Sequence, residues 1–322
     1  MKRTDISRRN FGRASIATAI GALALTSAAP TSAAPRAELW SRWTVNDPNS
    51  FQVVDHSAWD TFTRRFVVRG SNGVALVDYA GVSAADKASL GNYLNSLAGT
   101  QVSALNQREQ YAYWLNLYNA LTVKVILDHF PVNSIRDIDI SPGFFSNGPW
   151  GAKLISIEGE QVSLDDIEHR ILRPIWRDPR IHYGVNCASI GCPDLLVGAF
   201  TANNVDSVLN QAAVNFINHP RAAQVRGSQV SVSSIYDWFE EDFGGSDAGV
   251  IAHLRQYAQP ALAGQLASVT SVGGDSYDWS LNTVSFQRPI TQSIPRTNTY
   301  RGSGTRSFSG ENTFGGGGFR GS

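Results

Sequence analysis

The sequence has little charge for its length, and its shortage of basic side chains excludes one class of partner. Asp, Glu, Lys and Arg make up 17% of the 322 residues, below the usual quarter. When five basic residues and one acidic residue are set aside at each end, residues 35–287 hold 17 basic and 25 acidic residues. A body with this acidic excess has no basic footprint for DNA or RNA, so nucleic acid is excluded as its main partner.

The sequence also lacks three patterns that identify large protein classes. It has no Gly-rich turn placed after a strand to bind a dinucleotide or a nucleoside triphosphate, and it shows no repeat of 20–50 residues. After residue 34, no segment is long and apolar enough to span a bilayer. Apolar residues nevertheless make up 42% of the chain, with 8 Trp, 10 Tyr and 15 Phe, which indicates a globular protein with a substantial core.

Residues 1–34 are predicted to be a signal peptide of the twin-arginine type. The pattern Ser7-Arg8-Arg9-Asn10-Phe11 precedes an uncharged, mildly apolar stretch from Ala14 to about Ala29. Small residues near Ala34 suit a signal peptidase. An N-terminal membrane anchor is the alternative, but this stretch is short and interrupted by Gly and Thr. We therefore expect export by the twin-arginine route to give a periplasmic or secreted protein, without a transmembrane segment after cleavage.

Residues 288–322 are predicted to be a disordered basic tail. They are rich in Gly, Ser, Thr, Asn and Arg, and they lack the apolar periodicity that would offset the entropy lost on ordering. The alternative interpretation is that the interspersed Arg and Phe side chains make weak contacts with the cell envelope.

Residues 38–287 read as a single globular domain of the α+β class, mostly helical, with a small β-sheet. Its most informative segment is a predicted helix from Arg108 to Phe130, which Pro131 ends. This helix is apolar on nearly all faces, so we expect it to be central and buried. Helices dominate and the predicted strands are few and short, which favours α+β over a doubly wound sheet.

Asn116 and Asn119 lie three residues apart on this helix and share a face that also carries apolar side chains. A buried amide that lacks hydrogen-bond partners costs about 1–3 kcal/mol, so both should be partnered. One interpretation is that they hold the backbone of a neighbouring loop. The functional interpretation is that they orient a catalytic group or bind a substrate carbonyl.

Glu168 lies within the apolar stripe of a second predicted helix, which Ser163 caps with Asp166 in the capping-box position. Carboxylates are almost never fully buried unless they are paired. Glu168 either leans out to solvent or meets a His or an Arg inside the fold. A buried acid–histidine pair is a structural lock in some proteins and the perturbed pair of an active site in others. His169 follows directly.

The segment His182–Pro193 holds both cysteines, Cys187 and Cys192, with Ser189 between them. Three interpretations remain open. A Cys187–Cys192 disulfide fits an exported protein. A Cys187 nucleophile activated by His182 or His169 fits thiol chemistry. A metal site fits the ligand types, although this spacing is not a strong zinc pattern.

Ile181–Val185 is predicted to be a short strand after the turn Asp178-Pro179-Arg180. Strict alternation along such a strand places His182 and Cys187 on opposite faces. They meet only if the strand ends before Cys187, so His169 is the alternative base.

Seven segments together are similar to the domain-of-unknown-function 547 family, over about residues 75–285. They are Tyr113–Thr122, Ser134–Asp137, Leu164–His169, His182–Pro193, Ser234–Phe239, Asp242-Phe243 and Tyr277–Asn282. Members of this family occur in secreted bacterial proteins and in intracellular plant and animal proteins, some of them fused to glutaredoxin-like or DEP modules. Cytosolic thiols stay reduced, so a purely structural disulfide explains the pair poorly if intracellular relatives carry it. The resemblance therefore implies a working cysteine or a metal.

The leading hypothesis is a thiol-dependent hydrolase or transferase that acts on an unidentified small molecule or peptide. Cys187 is the predicted nucleophile, with His169 or His182 as base and Glu168 as the group that orients it. Asn116, Asn119 and Ser189 are predicted to bind substrate or hold the imidazole; these residue types resemble papain-like sites by analogy alone. The rival is a non-catalytic envelope protein with a structural disulfide. The residues identify no cofactor.

A geometric expectation accompanies this hypothesis. Glu168 should lie inside the fold, within hydrogen-bond reach of His182, with Cys187 or Cys192 on the same cleft wall. Buried polar groups in neighbouring motifs are most economically satisfied by one another.

Overall fold

A computed structural model describes residues 35–143 and 148–284. The predicted signal peptide at 1–34 and the predicted tail at 288–322 lie outside the described residues. The described residues up to Val284 belong to one compact unit.

Helices make up most of the regular structure in the described part of the chain. They are α1 Ser57–Phe66, α2 Ala84–Ala98, α3 Gln107–His129, a π-helix Asp166–Leu172, α4 Arg173–Trp176, α5 Ile181–Gly184, α6 Val205–Ile217, α7 Ile235–Trp238, α8 Asp247–Tyr257 and α9 Pro260–Leu266. A 3₁₀ turn, Glu240–Phe243, joins α7 to the segment before α8. None of the helices in the described ranges is long and apolar enough to cross a membrane.

The strands are short and form three small sheets. They are β1 Val67–Arg69, β2 Ala75–Val77, β3 Ile155–Ile157, β4 Glu160–Val162, β5 Ala223–Arg226, β6 Gln229–Ser233 and β7 Ser271–Ser276. β1 pairs antiparallel with β2, and β3 with β4. In the third sheet β6 is central, antiparallel to β5 and parallel to β7. The predicted mostly helical α+β class is confirmed.

The central helix α3 agrees with the sequence prediction to within one residue at each end. Asn106 caps it, because its side chain accepts hydrogen bonds from the backbone N–H groups of Arg108 and Glu109, at 3.1 and 3.0 Å. Every residue from Glu109 to Val123 is buried. A helix that is buried on all sides organises the elements packed around it.

Two apolar clusters form the core, and α5 links them. The larger cluster surrounds α3 and includes Ile181, the first residue of α5, and Val185, which directly follows α5. The smaller one joins α6, α8 and the three-stranded sheet, and it includes Tyr183 from the middle of α5. The chain that leaves α5 therefore begins at the seam between the two clusters, and it carries both cysteines.

The predicted strand at Ile181–Val185 is wrong, because this segment is the helix α5. Its backbone N–H groups bond locally: Ile181 donates to the Asp178 carbonyl at 3.0 Å, and Val185 donates to the Ile181 carbonyl at 3.1 Å. Its β-branched ends fill the core, and this packing overrides their preference for strands. The alternation argument that separated His182 from Cys187 therefore does not apply.

Candidate functional site

The cysteine loop, Asn186–Pro193, is fastened to the central helix by Asn119. The Asn119 amide donates to the Gly184 carbonyl at 2.8 Å and accepts from the backbone N–H of Asn186 at 2.8 Å. Both groups are backbone atoms at the entrance to the loop. Asn119 is therefore a buried tie that fixes where the loop starts.

Asn116 makes the same kind of tie one helical turn earlier, but to another segment. Its amide donates to the Phe200 carbonyl at 2.8 Å and accepts from the Phe200 N–H at 3.0 Å. Neither asparagine bonds to Glu168 or to a histidine within the described residues. The loop-holding interpretation of both amides thus matches the geometry.

Inside the loop, the Asn186 side chain holds the turn closed. Its amide donates to the Pro193 carbonyl at 2.7 Å, and its oxygen accepts from the Ala188 N–H at 2.9 Å. Ala188 has a φ of 59°, in the left-handed region that non-glycine residues rarely adopt. Strained residues of this kind persist where the surroundings fix them, and they concentrate at functional sites.

The segment that follows β7 clamps the loop from the other side. Ile190 donates to the Ser280 carbonyl and Gly191 to the Asp278 carbonyl, both at 2.8 Å. A side chain at Gly191 would meet the Asp278 backbone nitrogen at 2.7 Å, so the close approach of the two segments requires glycine. The loop is thus held by α3, by itself and by the last described segment.

Cys187 is half-buried and is surrounded by hydrogen-bond donors. Its sulfur lies 3.1 Å from the Ser189 hydroxyl and 3.0 Å from the Tyr277 hydroxyl, and these hydroxyls are 2.8 Å apart. Hydrogen bonds from the Cys192 thiol, then from Ser189 and Tyr277, lower the pKa of Cys187, although burial opposes this. A thiol that is partly exposed and whose thiolate is stabilised is the reactive kind.

Cys192 is the buried member of the pair, with 5% of its surface exposed. Burial and the neighbouring Cys187 raise its pKa well above the ordinary value. The backbone N–H of Cys187 points at the Cys192 sulfur, at 3.2 Å. Both cysteines are free thiols, so the structure does not contain the bridge that the disulfide interpretation predicts.

The metal interpretation also lacks a donor set in this structure. Within residues 35–143 and 148–284, no group of three or more His, Cys, Asp or Glu side chains is arranged to hold a metal ion. The cysteines face hydroxyl groups and backbone instead of additional metal ligands.

The second group of polar residues is the acid–histidine cluster, formed by Glu168, His169, Arg173, His182 and Asp242. His182 is buried between two carboxylates: its Nε2 lies 2.7 Å from Asp242 Oδ2, and its Nδ1 lies 3.7 Å from Glu168 Oε1. The predicted burial of Glu168 beside His182 is observed. However, the contact is an ion pair longer than a hydrogen bond, and the short bond of His182 goes to Asp242.

Arg173 and Phe239 complete the packing of this cluster. The guanidinium group of Arg173 is 2.5 Å from Asp242 and 2.7 Å from Glu241, and it lies 3.2 Å from His169 Nδ1. The Phe239 ring stacks on His182 at 4.3 Å and lies under Arg173 at 4.8 Å. Both histidines therefore bind to charged side chains of the cluster, and His182 also stacks on Phe239.

The pKa shifts in the cluster describe a paired, mostly ionised group. Burial raises the pKa of Glu168, but His169, His182 and Tyr118 overcome this and lower it to about 2. Burial lowers the pKa of His182, but Asp242 and Glu168 reverse the effect and raise it. This is the direction expected for an imidazole beside a carboxylate. His169 differs, because burial lowers its pKa to about 4 and leaves it neutral near pH 7.

The cysteine loop and the acid–histidine cluster do not form the predicted catalytic dyad of Cys187 with a histidine. Among the described residues, no hydrogen bond joins Cys187 to His182 or to His169. Glu168 acts on Cys187 only through its charge. This charge opposes the hydrogen bonds that lower the pKa of the Cys187 thiol. Glu168 and His182 are partners, as expected. The asparagines are not part of this cluster, because each binds backbone groups of another segment.

Beside Cys187 stands an aromatic wall, formed by Trp150, Trp238, Tyr277 and Trp279, all partly exposed. The Tyr277 ring lies 4.8 Å from Trp238 and 4.7 Å from Trp279, and Trp150 meets Trp279 at 5.8 Å. Tyr277 also lines a surface cavity of about 220 Å³, together with Gly191 and Arg221. Tyr277 thus contacts the Cys187 sulfur and two other rings of the aromatic wall, and it lines this cavity, whose lining does not include Cys187.

Sequence reasoning missed several residues that build the site. Tyr277, Asp242 and Asn282 lie in the segments that carry the family resemblance, but no chemistry was assigned to them. Asn282 donates to the Asn186 side chain at 3.3 Å and accepts from the Tyr79 hydroxyl at 3.0 Å. Their place in those segments was the one signal available. Arg173 carried no signal beyond its position after the predicted helix.

Comparison with known proteins gives one positive finding. A search of curated proteins and a search of solved structures found no match. Residues 102–217 match a family model described as "Protein of unknown function, DUF547". This segment includes α3, the π-helix and the cysteine loop, and the match supports the resemblance to the domain-of-unknown-function 547 family that the motifs indicate.

Proposed function

We propose that the protein is a thiol-dependent enzyme in which Cys187 is the nucleophile. The observation that carries this proposal is the environment of the Cys187 sulfur, which is half-buried and lies within 3.1 Å of two hydroxyl groups. These donors stabilise the thiolate, which is the nucleophilic form of cysteine. The rigid loop holds the sulfur in a fixed position, as covalent catalysis requires.

A transfer reaction fits this environment better than hydrolysis. Hydrolysis of a covalent intermediate needs a base that activates water beside the sulfur. His182 is held by Asp242 and Glu168, and His169 is held against Arg173, so neither is hydrogen-bonded to the thiol. A transfer in which a second nucleophile attacks the intermediate needs the thiolate and an acceptor, but no such base.

The surroundings of Cys187 indicate the type of substrate. The aromatic wall offers apolar faces, and Tyr277, which contacts the Cys187 sulfur, also lines a cavity of about 220 Å³ that has room for a small group. Ligand sites combine apolar walls with a few polar groups that fix orientation, and here Ser189 and Tyr277 are those groups. We propose an electrophile with an apolar or planar portion, carried by a small molecule or a peptide.

The test measures covalent reaction at Cys187 in the folded protein. Alkylation by iodoacetamide is followed by intact mass as a function of pH, and 4-nitrophenyl acetate reports acyl transfer as a burst of nitrophenolate. We expect the Cys187 alkylation midpoint to lie below that of an ordinary thiol, and we expect a burst of one equivalent. A transferase will turn over faster when hydroxylamine is added as acceptor.

Matched variants separate reactivity from folding. Cys187→Ser should abolish both reactions with little change in the thermal midpoint, whereas Cys192→Ser should keep them, since a serine hydroxyl still donates toward Cys187. Unchanged reaction in Cys187→Ser, or an ordinary thiol midpoint in the parent protein, would overturn the proposal.

We also propose that the protein is exported by the twin-arginine route. The support is the Ser7-Arg8-Arg9-Asn10-Phe11 pattern with the uncharged stretch behind it. Fractionation of cells that express the full chain tests this proposal. Replacing Arg8 and Arg9 by lysine should retain the protein in the cytoplasm, and unchanged export of that variant would contradict the assignment.

A further inference from the structure

The proposed nucleophile leaves the second thiol of the cysteine loop without a role. Cys192 is buried five positions after Cys187, and its sulfur lies 3.2 Å from the Cys187 backbone nitrogen. The two thiols differ in access, since Cys187 is half-buried and Cys192 is 5% exposed. An accessible thiol beside a buried one is the arrangement in which the first attacks a substrate and the second completes the exchange.

The loop holds the second sulfur ready for that step. The Cys187 backbone N–H donates to the Cys192 sulfur at 3.2 Å, and this bond favours the Cys192 thiolate. The Cys192 backbone N–H bonds to the Ser189 carbonyl at 3.2 Å, which closes the turn between the cysteines. The turn passes through Ala188 in its left-handed conformation, so the Cys192 sulfur is held against the Cys187 backbone in a tight and constrained loop.

We propose that Cys187 and Cys192 form a dithiol–disulfide couple that reduces a disulfide bond in a substrate, an inference that rests on the proposed nucleophilic role of Cys187. The substrate class is therefore an organic disulfide, and the oxidised protein is returned to the dithiol by an external thiol reductant.

The electrons and atoms balance in two exchanges. The Cys187 thiolate attacks one sulfur of the substrate, the substrate S–S bond breaks, and a thiolate leaves and takes a proton from solvent. The Cys192 thiol then loses its proton and attacks the Cys187 sulfur. The Cys187–Cys192 bond forms and the second substrate thiolate leaves. Two electrons and two protons pass from the dithiol to the substrate.

The order of the two exchanges follows from the electrostatics of the pair. The Cys187 thiolate is one of the causes that keep the pKa of Cys192 high. When Cys187 enters the mixed disulfide its negative charge is gone, so the Cys192 proton becomes easier to remove. The first exchange therefore activates the thiol that performs the second.

The experiment uses the full exported chain and bis(2-hydroxyethyl) disulfide as the probe, with intact mass as the readout. We expect the parent protein to lose two hydrogen atoms through an intramolecular bridge that dithiothreitol reverses. Cys192→Ser should stop at the mixed disulfide, since it retains the attacking thiol but lacks the resolving one. Cys192→Ala serves as a second variant, and thermal melting confirms that each variant is folded.

The possible failures point to different errors. If the parent protein accumulates the mixed disulfide as Cys192→Ser does, Cys192 does not resolve it. This result would overturn the dithiol–disulfide couple but not the proposed role of Cys187 as nucleophile. If neither protein forms an adduct, Cys187 is not an attacking thiol and the proposed function fails as well. A bridge that is present after purification and resists dithiothreitol is structural, and it also overturns the couple.

Discussion

The acid–histidine cluster and the cysteine loop are both buried polar regions next to α3, yet they differ in how completely their polar groups are used. In the cluster, each charged group has a partner of opposite charge: His182 has two carboxylates and Arg173 has two. In the loop, the Cys187 sulfur has only neutral hydroxyl partners, and the residue is half-buried. The cluster is satisfied by ion pairs, whereas the loop holds the thiol that we propose as nucleophile.

Buried polar groups can stabilise a fold or carry out chemistry, and the two roles need different surroundings. A closed set of ion pairs fixes one arrangement of the elements that carry it, and it is costly to break. A nucleophile must instead stay under-coordinated and accessible. The residue types place the predicted nucleophile in the loop, and they place its predicted base and orienting group in the cluster, which holds an acid and an imidazole. The geometry favours the loop for chemistry and the cluster for stability.

The largest expected effect comes from breaking the cluster at Arg173. Arg173→Met removes the partner of Asp242 and Glu241 from a position that is 2% exposed at the side chain. Losing one partner of a fully buried pair costs about 3–5 kcal/mol. Because Asp242 and Glu241 are 21% and 50% exposed, we expect a loss at or below the lower end of that range, and urea unfolding will measure it. The rate of Cys187 alkylation in the folded fraction should stay close to that of the parent.

The matched control is Arg64→Met on the surface of α1. Arg64 pairs with Asp60 at 2.6 Å, but its side chain is 63% exposed, so its loss should leave the unfolding midpoint nearly unchanged. If Arg173→Met folds normally and loses Cys187 reactivity, the acid–histidine cluster takes part in the reaction of Cys187, and its role is not limited to stability.

The next largest effect is expected at the two buried asparagines of α3. Asn119→Ala leaves the Gly184 carbonyl and the Asn186 N–H without partners, and Asn116→Ala does the same to both backbone groups of Phe200. Each variant should lose about 1–3 kcal/mol of stability in chemical denaturation. Only Asn119→Ala releases the cysteine loop, so only this variant should also slow alkylation of Cys187.

Equal alkylation rates in these two variants would show that the loop keeps its place without Asn119. Slower alkylation in Asn116→Ala would instead indicate that the whole region loosens when any α3 amide is lost. Either result would mean that bonds other than those of Asn119 hold the Cys187 thiol in place.

Much of the architecture follows from local sequence patterns. The limits of α3, its buried polar residues and the capping box at Ser163 depend on spacing within a few residues. The burial of Glu168 was predictable for the same reason, since helical periodicity states which side a residue faces. A local pattern identifies residues that need partners.

The identity of those partners was not predictable, because they lie far along the chain. Asn116 bonds 84 residues away, His182 bonds 60 residues away and Cys187 bonds 90 residues away. Helix α5 was missed for a related reason: its strand-forming residues are placed by two apolar clusters that no short window contains. Tertiary contacts decide both questions.

The third prediction concerns pH and His253, a buried histidine outside both polar regions. Burial lowers its pKa to about 4, with His182 as a further cause and Asp178 opposing, while its ring bonds to the Tyr183 hydroxyl at 2.8 Å. The unfolded chain therefore binds more protons between about pH 6.5 and pH 4, so stability falls as the pH falls through this window. The loss between pH 7 and pH 5 should be about 1–2 kcal/mol from this group.

His253→Gln tests this assignment by thermal or urea unfolding at both pH values. The variant should be less stable than the parent at pH 7, and its stability should decline less on acidification. If both proteins show the same decline, the acid sensitivity arises at other groups, such as His56 and His169, whose pKa values burial also lowers to about 4.

The smallest effect tests why the loop is reactive. Tyr277→Phe removes one hydroxyl that donates to the Cys187 sulfur, at 3.0 Å, and leaves the Ser189 hydroxyl and the Cys192 thiol in place. The pKa of Cys187 should rise, so the midpoint of its alkylation profile should move to higher pH. The stability change should be about 1 kcal/mol, as for one hydrogen bond. Tyr236→Phe is the matched control, because its buried hydroxyl bonds to Tyr183 at 3.0 Å. If the pH midpoint of Cys187 alkylation does not move in Tyr277→Phe, or moves equally in Tyr236→Phe, the Tyr277 hydroxyl does not lower the Cys187 pKa. The Cys192 thiol would then be the principal donor to Cys187.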